Sequence, residues 1–369
     1  MTKDLISEFS EERNSFYFND IDNDLKNVGF FSLRTAIESY LSTYKAMKNE
    51  LVIEKMYAIK KANLDTITHS HDYCVLCFKT IIHFQHCFEL FIKQILENEH
   101  PLLAVRANTK PVIFHKLLNK EKITAEEYES LFSIEFSDAL NTINELIRNK
   151  RLNDSYTFIR EHYNILKSLN GFRNRMWHKG MFLLRYHALD EYICRYILPL
   201  VSLFLELPIF SGYEKVWKYQ TGNELHLDII TELINEFDEL RGKSDLSKVA
   251  LLKEIGRIQY SDYYLKSNDE VELRLAIEEG YINDIKQCPV CNEKTLLNCN
   301  KFDYDFDEIY GHGGYTSLRI PYAYESHVSC ITCAFEVNKF VENINSYGLR
   351  WENFWIGERE RTHIKYGDF

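Results

Sequence analysis

Proline is absent from the first 100 residues, and the first 170 contain one glycine, Gly29. Both residues interrupt regular structure, so their scarcity excludes a turn-rich N-terminal half and leaves helix as the simplest reading. A long apolar run is missing too. The most apolar stretch, residues 196–205, contains Pro199 and stops at Glu206, whereas about 20 apolar residues are needed to span a bilayer. No membrane partner is expected. The opening MTKDLISEFSEERN carries charges where a secretory signal needs an apolar stretch, so the expectation is a cytoplasmic protein with reduced thiols. There is no Walker lysine loop, GxGxxG or GxSxG, which removes the commonest nucleotide-binding and serine-hydrolase signatures. Neither an internal repeat nor a low-complexity tract is visible. Excess positive charge is lacking as well, and a net charge of −11 argues against a general nucleic-acid coat.

What is present is an ordinary globular composition: 369 residues, 45% hydrophobic and 14% aromatic. That suffices for two or three domains with cores of their own and excludes disorder over most of the chain. Cys77, Ile81, Phe84, Phe88, Phe91 and Ile95 recur at steps of three and four, which marks one helix face. A second series is Tyr156, Ile159, Tyr163 and Leu166; a third is Leu189, Ile193, Ile197 and Leu200. Weaker helical patterns cover 32–62 and 136–149. Pro208, Gly212 and Gly222 mark a boundary, and helical stretches follow at about 224–240 and 246–265. Beyond Gly280 glycine clusters and strand-like segments appear, YTSLRI and FEVNKF among them. The expected fold is mainly α, with a helical bundle and a small C-terminal β module. The expected organisation is an N-terminal helical segment (1–64), the bundle (65–210), a helical connector (211–282), the cysteine-rich module (283–340) and a tail (341–369).

Five of the nine cysteines lie between 288 and 333. Cys288-Pro-Val-Cys291 and Cys330-Ile-Thr-Cys333 are two C-x2-C pairs, and two such knuckles complete a four-thiolate shell that suits a structural Zn2+. The 38 intervening residues exceed the usual spacing of roughly 15–20, so 292–329 reads as an insertion into a zinc ribbon. Cys299, His312 and His327 are alternative ligands. Cys74-Val-Leu-Cys77 is also C-x2-C, but Cys77 lies on the apolar stripe and no second pair remains, so core packing is expected there.

Between residues 147 and 187, nine basic residues oppose only Asp154 and Glu161, a local excess of +7. Within it stands Gly171-Phe-Arg-Asn-Arg-Met-Trp-His-Lys-Gly180. On a helix Asn174 and His178 share a face, with Arg173 flanking. Arginine offers a permanent positive fork for phosphate, and histidine moves protons near neutrality. Arg175 and Lys179 are expected to bind phosphate or face water, and Trp177 to lie in the core, with a base-stacking platform as its alternative.

Arg173, Asn174 and His178, preceded by Gly-Phe and followed by another amphipathic helix, resemble the signature of the HEPN (higher eukaryotes and prokaryotes nucleotide-binding) family: Arg, four to six residues, then His. Upstream, HFQHCFELFIKQIL (83–96) is similar to the family's other core helix, and Glu89 and Lys93 match its Glu/Lys pair. The bare spacing alternatively leaves those two as a surface ion pair, or Glu89 as a partner of Arg173. The resemblance, over roughly 65–210, implies an antiparallel helical bundle and a metal-independent endoribonuclease, a hydrolase-type toxin or antiviral defence effector. Arg173, Asn174 and His178 would be catalytic, Arg175 and Lys179 RNA-binding, Glu89 and Lys93 supporting, and a homodimer would form a composite site. Family members controlled by nucleotide transfer often carry Tyr where this chain has Gly180, so that control is not expected. The rival readings are a non-catalytic HEPN-like dimerising module that binds nucleic acid or protein through the zinc ribbon, and a structural adaptor.

Overall fold

The computed structural model describes residues 25–58, 69–178, 180, 182–213, 227–238, 244–260, 282–311, 314–341 and 362–363. The protein is mainly helical, with a small antiparallel sheet near the C-terminus. It divides into two units, each drawn from three stretches: Met1–Ala36, Ile81–Phe182 and Leu200–Trp217 form the first, and Ile37–Thr80, Leu183–Pro199 and Lys218–Phe369 the second.

Helix α1 (Leu25–Ala58) and helix α2 (His71–Glu99) contribute to both units. All six members of the first apolar series are fully buried along α2. By length and composition α2 could cross a membrane, but burial of that stripe is also what a core helix of a water-soluble domain shows.

The first unit continues through α3 (Pro111–Leu118), α4 (Ala125–Glu129), α5 (Phe136–Arg148), α6 (Thr157–Glu161) and α7 (Tyr163–His178). Strands β1 (Val105–Arg106) and β2 (Phe132–Ser133) form a two-stranded antiparallel ladder between them. Helix α5 buries Phe136, Ala139, Leu140 and Ile143, the spacing of a single stripe. Aromatic rings fill the core: Phe91 packs on Phe30 and Phe210 at centroid distances of 5.0 and 4.4 Å, and Phe88 on Phe204 at 5.3 Å. Gly29 is required by that packing, since a Cβ there would sit 2.8 Å from the Phe91 ring. The second apolar series spans a break: His162 ends α6, and α7 then runs through Gly171 to His178. Gly180, with φ of +91°, lies just beyond and supplies a backbone state that other residues rarely adopt.

The second unit contains α8 (Tyr186–Tyr192), a π-helical turn at Ile193–Ile197, α10 (Ile229–Glu236) and α11 (Leu246–Tyr260); α9 (Leu198–Leu205) continues from the π turn. Asp228 caps α10, accepting from the Thr231 amide at 3.1 Å. Helix α11 is buried almost throughout, and the Lys253 ammonium lies inside. It donates to Asp190 at 2.6 Å, with both side chains fully buried, and sits 4.0 Å from the Tyr186 ring centroid and 4.7 Å from that of Tyr40.

The sheet is antiparallel, in the order β3 (Ile282–Lys286), β4 (Leu296–Gly311), β5 (Gly314–Cys330) and β6 (Glu336–Asn338), with β7 (Thr362–His363) also on β5. The expected insertion is therefore mostly one long hairpin, paired from Leu296↔Cys330 to Gly311↔Gly314 with a register shift at Cys299/Asn300. The expected helices at 32–62, 136–149, 224–240 and 246–265 correspond to α1, α5, α10 and α11, with residues 59–62, 224–226, 239–240 and 261–265 outside the described part.

Candidate functional site

In the first unit a cavity of about 500 Å³ is bounded by α2, the N-terminus of α5 and the last turns of α7. Its lining includes Glu89, Asn170, Arg173, Asn174 and His178. Helix α7 places these last four because positions 170, 173, 174 and 178 fall on adjoining parts of one face at about 100° per residue. Met176 is 5% exposed and anchors the opposite side. Arg173 Nη1 donates to Asn174 Oδ1 at 2.9 Å and lies 3.4 Å from His178 Nε2. A guanidinium can only donate, so in a hydrogen bond between the two Nε2 is the acceptor. Asn174 and His178 are exposed and Arg173 half-buried. The three groups can therefore meet a ligand from solvent.

Glu89 is engaged elsewhere. Its Oε1 takes Lys93 Nζ at 2.6 Å and its Oε2 takes Gln85 Nε2 at 2.9 Å, so it does not bond Arg173. Nor is the pair a surface one, because Lys93 is 5% exposed. Below it, His86 Nδ1 lies 2.7 Å from Ser32 Oγ. Burial pulls the His86 pKa below its ordinary value; Glu89 opposes this, while Lys93 and Arg173 add to it. Arg175 is exposed, with its guanidinium carbon 5.5 Å from the Phe182 ring centroid, and Phe182 stacks on Phe172 at 5.9 Å. Lys179 lies outside the described residues. Trp177, expected in the core, is 58% exposed. Leu166, on the same stripe, is fully buried, so burial along that stripe ends before the last turn of α7. Gln85, Glu135, Phe136 and Ser137 complete the lining, and nothing in the sequence ties them to Arg173. Asn170 could have been found from its spacing alone.

In the second unit the sulfurs of Cys288, Cys291, Cys330 and Cys333 all lie within 4.8 Å of one another. Cys288 and Cys333 are 3.6 Å apart, Cys291 and Cys330 3.7 Å. A tetrahedron with metal–sulfur bonds of about 2.3 Å has edges of roughly 3.8 Å, so the four thiols are compatible with a metal such as zinc. The two knuckles share their backbone bonding. Cys288 N donates to Glu293 O at 2.7 Å and Asn292 N to Cys288 O at 2.8 Å; Cys330 N donates to Phe335 O at 2.8 Å and Ala334 N to Cys330 O at 2.9 Å. Asn292 and Ala334, each following the second cysteine of its pair, have φ of 62° and 57°. Among the alternative ligands, Cys299 donates to Leu297 O and His327 Nδ1 meets Ser326 Oγ; neither joins the four, and His312 lies outside the described residues. Cys77 is fully buried, and burial raises its thiol to about 11. Cys74 and Cys77 belong to no metal-ligand cluster among the described residues.

No family model, curated protein or solved structure matches the chain.

Proposed function

We propose that the cavity is the active site of a metal-independent endoribonuclease on a HEPN-like bundle. The observation that carries this is the convergence of Arg173, Asn174 and His178, open to solvent, on one cavity. A ribose 2′-OH attacks the adjacent phosphorus as its proton passes to a base. The P–O5′ bond breaks, the 5′-oxygen takes up a proton, and the products are a 2′,3′-cyclic phosphate and a 5′-OH end. His178 exchanges protons, Arg173 faces the charge that builds on the phosphoryl oxygens, and Asn174 holds the guanidinium in place. Two proton transfers with one histidine per cavity favour a homodimer in which a second His178 completes the site. Sedimentation of a fully active monomer would remove that part of the reading.

We further propose that Cys288, Cys291, Cys330 and Cys333 hold one structural zinc in a ribbon-like module. The matching knuckles and sulfur spacing support it, and a closed four-thiolate shell leaves no position for a reacting water. Metal analysis of freshly purified protein should find one zinc per chain, lost in Cys330→Ser. Incubation with total RNA, with and without chelator, should show cleavage by wild type in both and by His178→Ala in neither. An RNA carrying a single 2′-deoxy residue at the cut position should resist; normal cutting there would exclude the 2′-OH as nucleophile. Equal inactivity of wild type and His178→Ala on every RNA would favour the non-catalytic binding module.

A further inference from the structure

We propose that Trp177, beside the cavity residue Arg173, is a base-stacking platform, and that the cavity therefore takes a single strand of nucleic acid, one base on the indole and its adjoining phosphate on Arg173. The inference deepens, and rests on, the reading of the cavity as a nucleic-acid site. Tyr163, Leu166, Asn170, Arg173 and Trp177 follow one another at steps of three and four along α7, so they share one face. Leu166 is fully buried on that face. Asn170 and Arg173, the next two members, line the cavity. Trp177, one turn further, is 58% exposed. The face thus passes from core, through cavity, to solvent, and ends on the largest flat side chain available.

The Arg173 guanidinium carbon lies 6.0 Å from the centroid of that ring, while Nη1 remains on Asn174 and near His178. One cation thus stands between the aromatic surface and the proton-transfer group. A flat ring beside a cation suits a nucleotide, whose base stacks while its phosphate pairs. Arg173 belongs to a stretch, residues 147–187, with an excess of +7 along the sequence, while the lining itself also carries Glu89 and Glu135. In a duplex the base faces are already stacked on one another, so the ring selects single strands.

The test is the affinity of the full-length protein for a short labelled single-stranded DNA, read by anisotropy. DNA lacks the 2′-OH and is not consumed by the proposed reaction. Trp177→Ala should weaken Kd by roughly 5- to 150-fold, and Trp177→Phe should retain most of the affinity. The matching duplex should bind more weakly than the single strand and should not respond to Trp177→Ala. Equal Kd for wild type and Trp177→Ala, or no binding by wild type, overturns the platform. RNA left intact by wild type overturns the nuclease chemistry instead and leaves the DNA titration to be judged by itself. If Trp177→Ala leaves Kd unchanged but shifts sedimentation from dimer to monomer, the ring belongs to an interface between copies and the proposal falls.

Discussion

Two regions of the molecule set a cation beside an aromatic ring, and they are built in opposite ways. In the first unit Arg173 stands 6.0 Å from the Trp177 ring centroid, at the rim of a cavity, with an exposed amide and imidazole as neighbours. In the second, Lys253 stands 4.0 Å from the Tyr186 ring centroid with no exposure at all, its charge answered by Asp190. Surrounding rings and carboxylate make the lysine part of the folded core, where no ligand can reach it. The guanidinium keeps its charge near water. The difference teaches that a charged residue beside an aromatic ring is a candidate for function only when the fold leaves it a way out. The sealed cluster is also not fully satisfied: Asp190 Oδ2, Tyr186 Oη and both ring nitrogens of His187 lack hydrogen-bond partners among the described residues. Such groups are the usual lodging of ordered water.

The sharpest way to break the comparison is to remove one charged group from each side. His178→Ala and Arg173→Ala should each lower RNA cleavage by roughly 10²–10⁴-fold. Because His178 is exposed and Arg173 half-buried, their melting transitions should stay close to wild type. Lys253→Met should do the reverse. It strands a fully buried carboxylate and should cost about 3–5 kcal/mol in denaturant unfolding, with normal turnover per folded molecule. The double variant Lys253→Met/Asp190→Leu should recover most of that loss, and failure to do so would mean the pair is not the source of the effect.

Glu89→Ala tests the boundary between the two kinds of site. Glu89 lines the cavity but also holds Lys93, which is 5% exposed. Its loss should cost about 1–3 kcal/mol of stability and change cleavage less than His178→Ala does. A collapse of turnover with unchanged melting would instead place Glu89 in the chemistry. The smallest expected effect is on pH dependence. Burial holds His86 in the first unit and His187 in the second below the ordinary value of 6.5. Both are then neutral in the folded state while the unfolded chain takes up protons near 6.5. Stability from this source is complete above pH 6.5 and is lost as pH falls through the folded-state values. Melting temperature measured from pH 7 down to 5 should fall, and His187→Gln should flatten part of the slope.

Local spacing determined much of this by itself. The three–four repeat from Cys77 to Ile95 is a helix face whatever surrounds it, because side chains at those steps stack along one side of any α-helix. The two cysteine knuckles were equally legible, since a metal shell needs its ligands in short, fixed spacings. Arg173, Asn174 and His178 were readable as a cluster because they lie within six residues on one helix. Tertiary structure alone decided the rest. Asp190 and Lys253 are 63 residues apart and meet only through packing. Gln85 reaches the cavity from α2, and Glu135 and Ser137 from the start of α5. Trp177 sits on the face that periodicity assigns to the core, yet it is exposed, because a helix face is buried only as far as its neighbours extend. Sequence fixes which side chains share a side; where a partner surface stops, and water begins, is set by the fold.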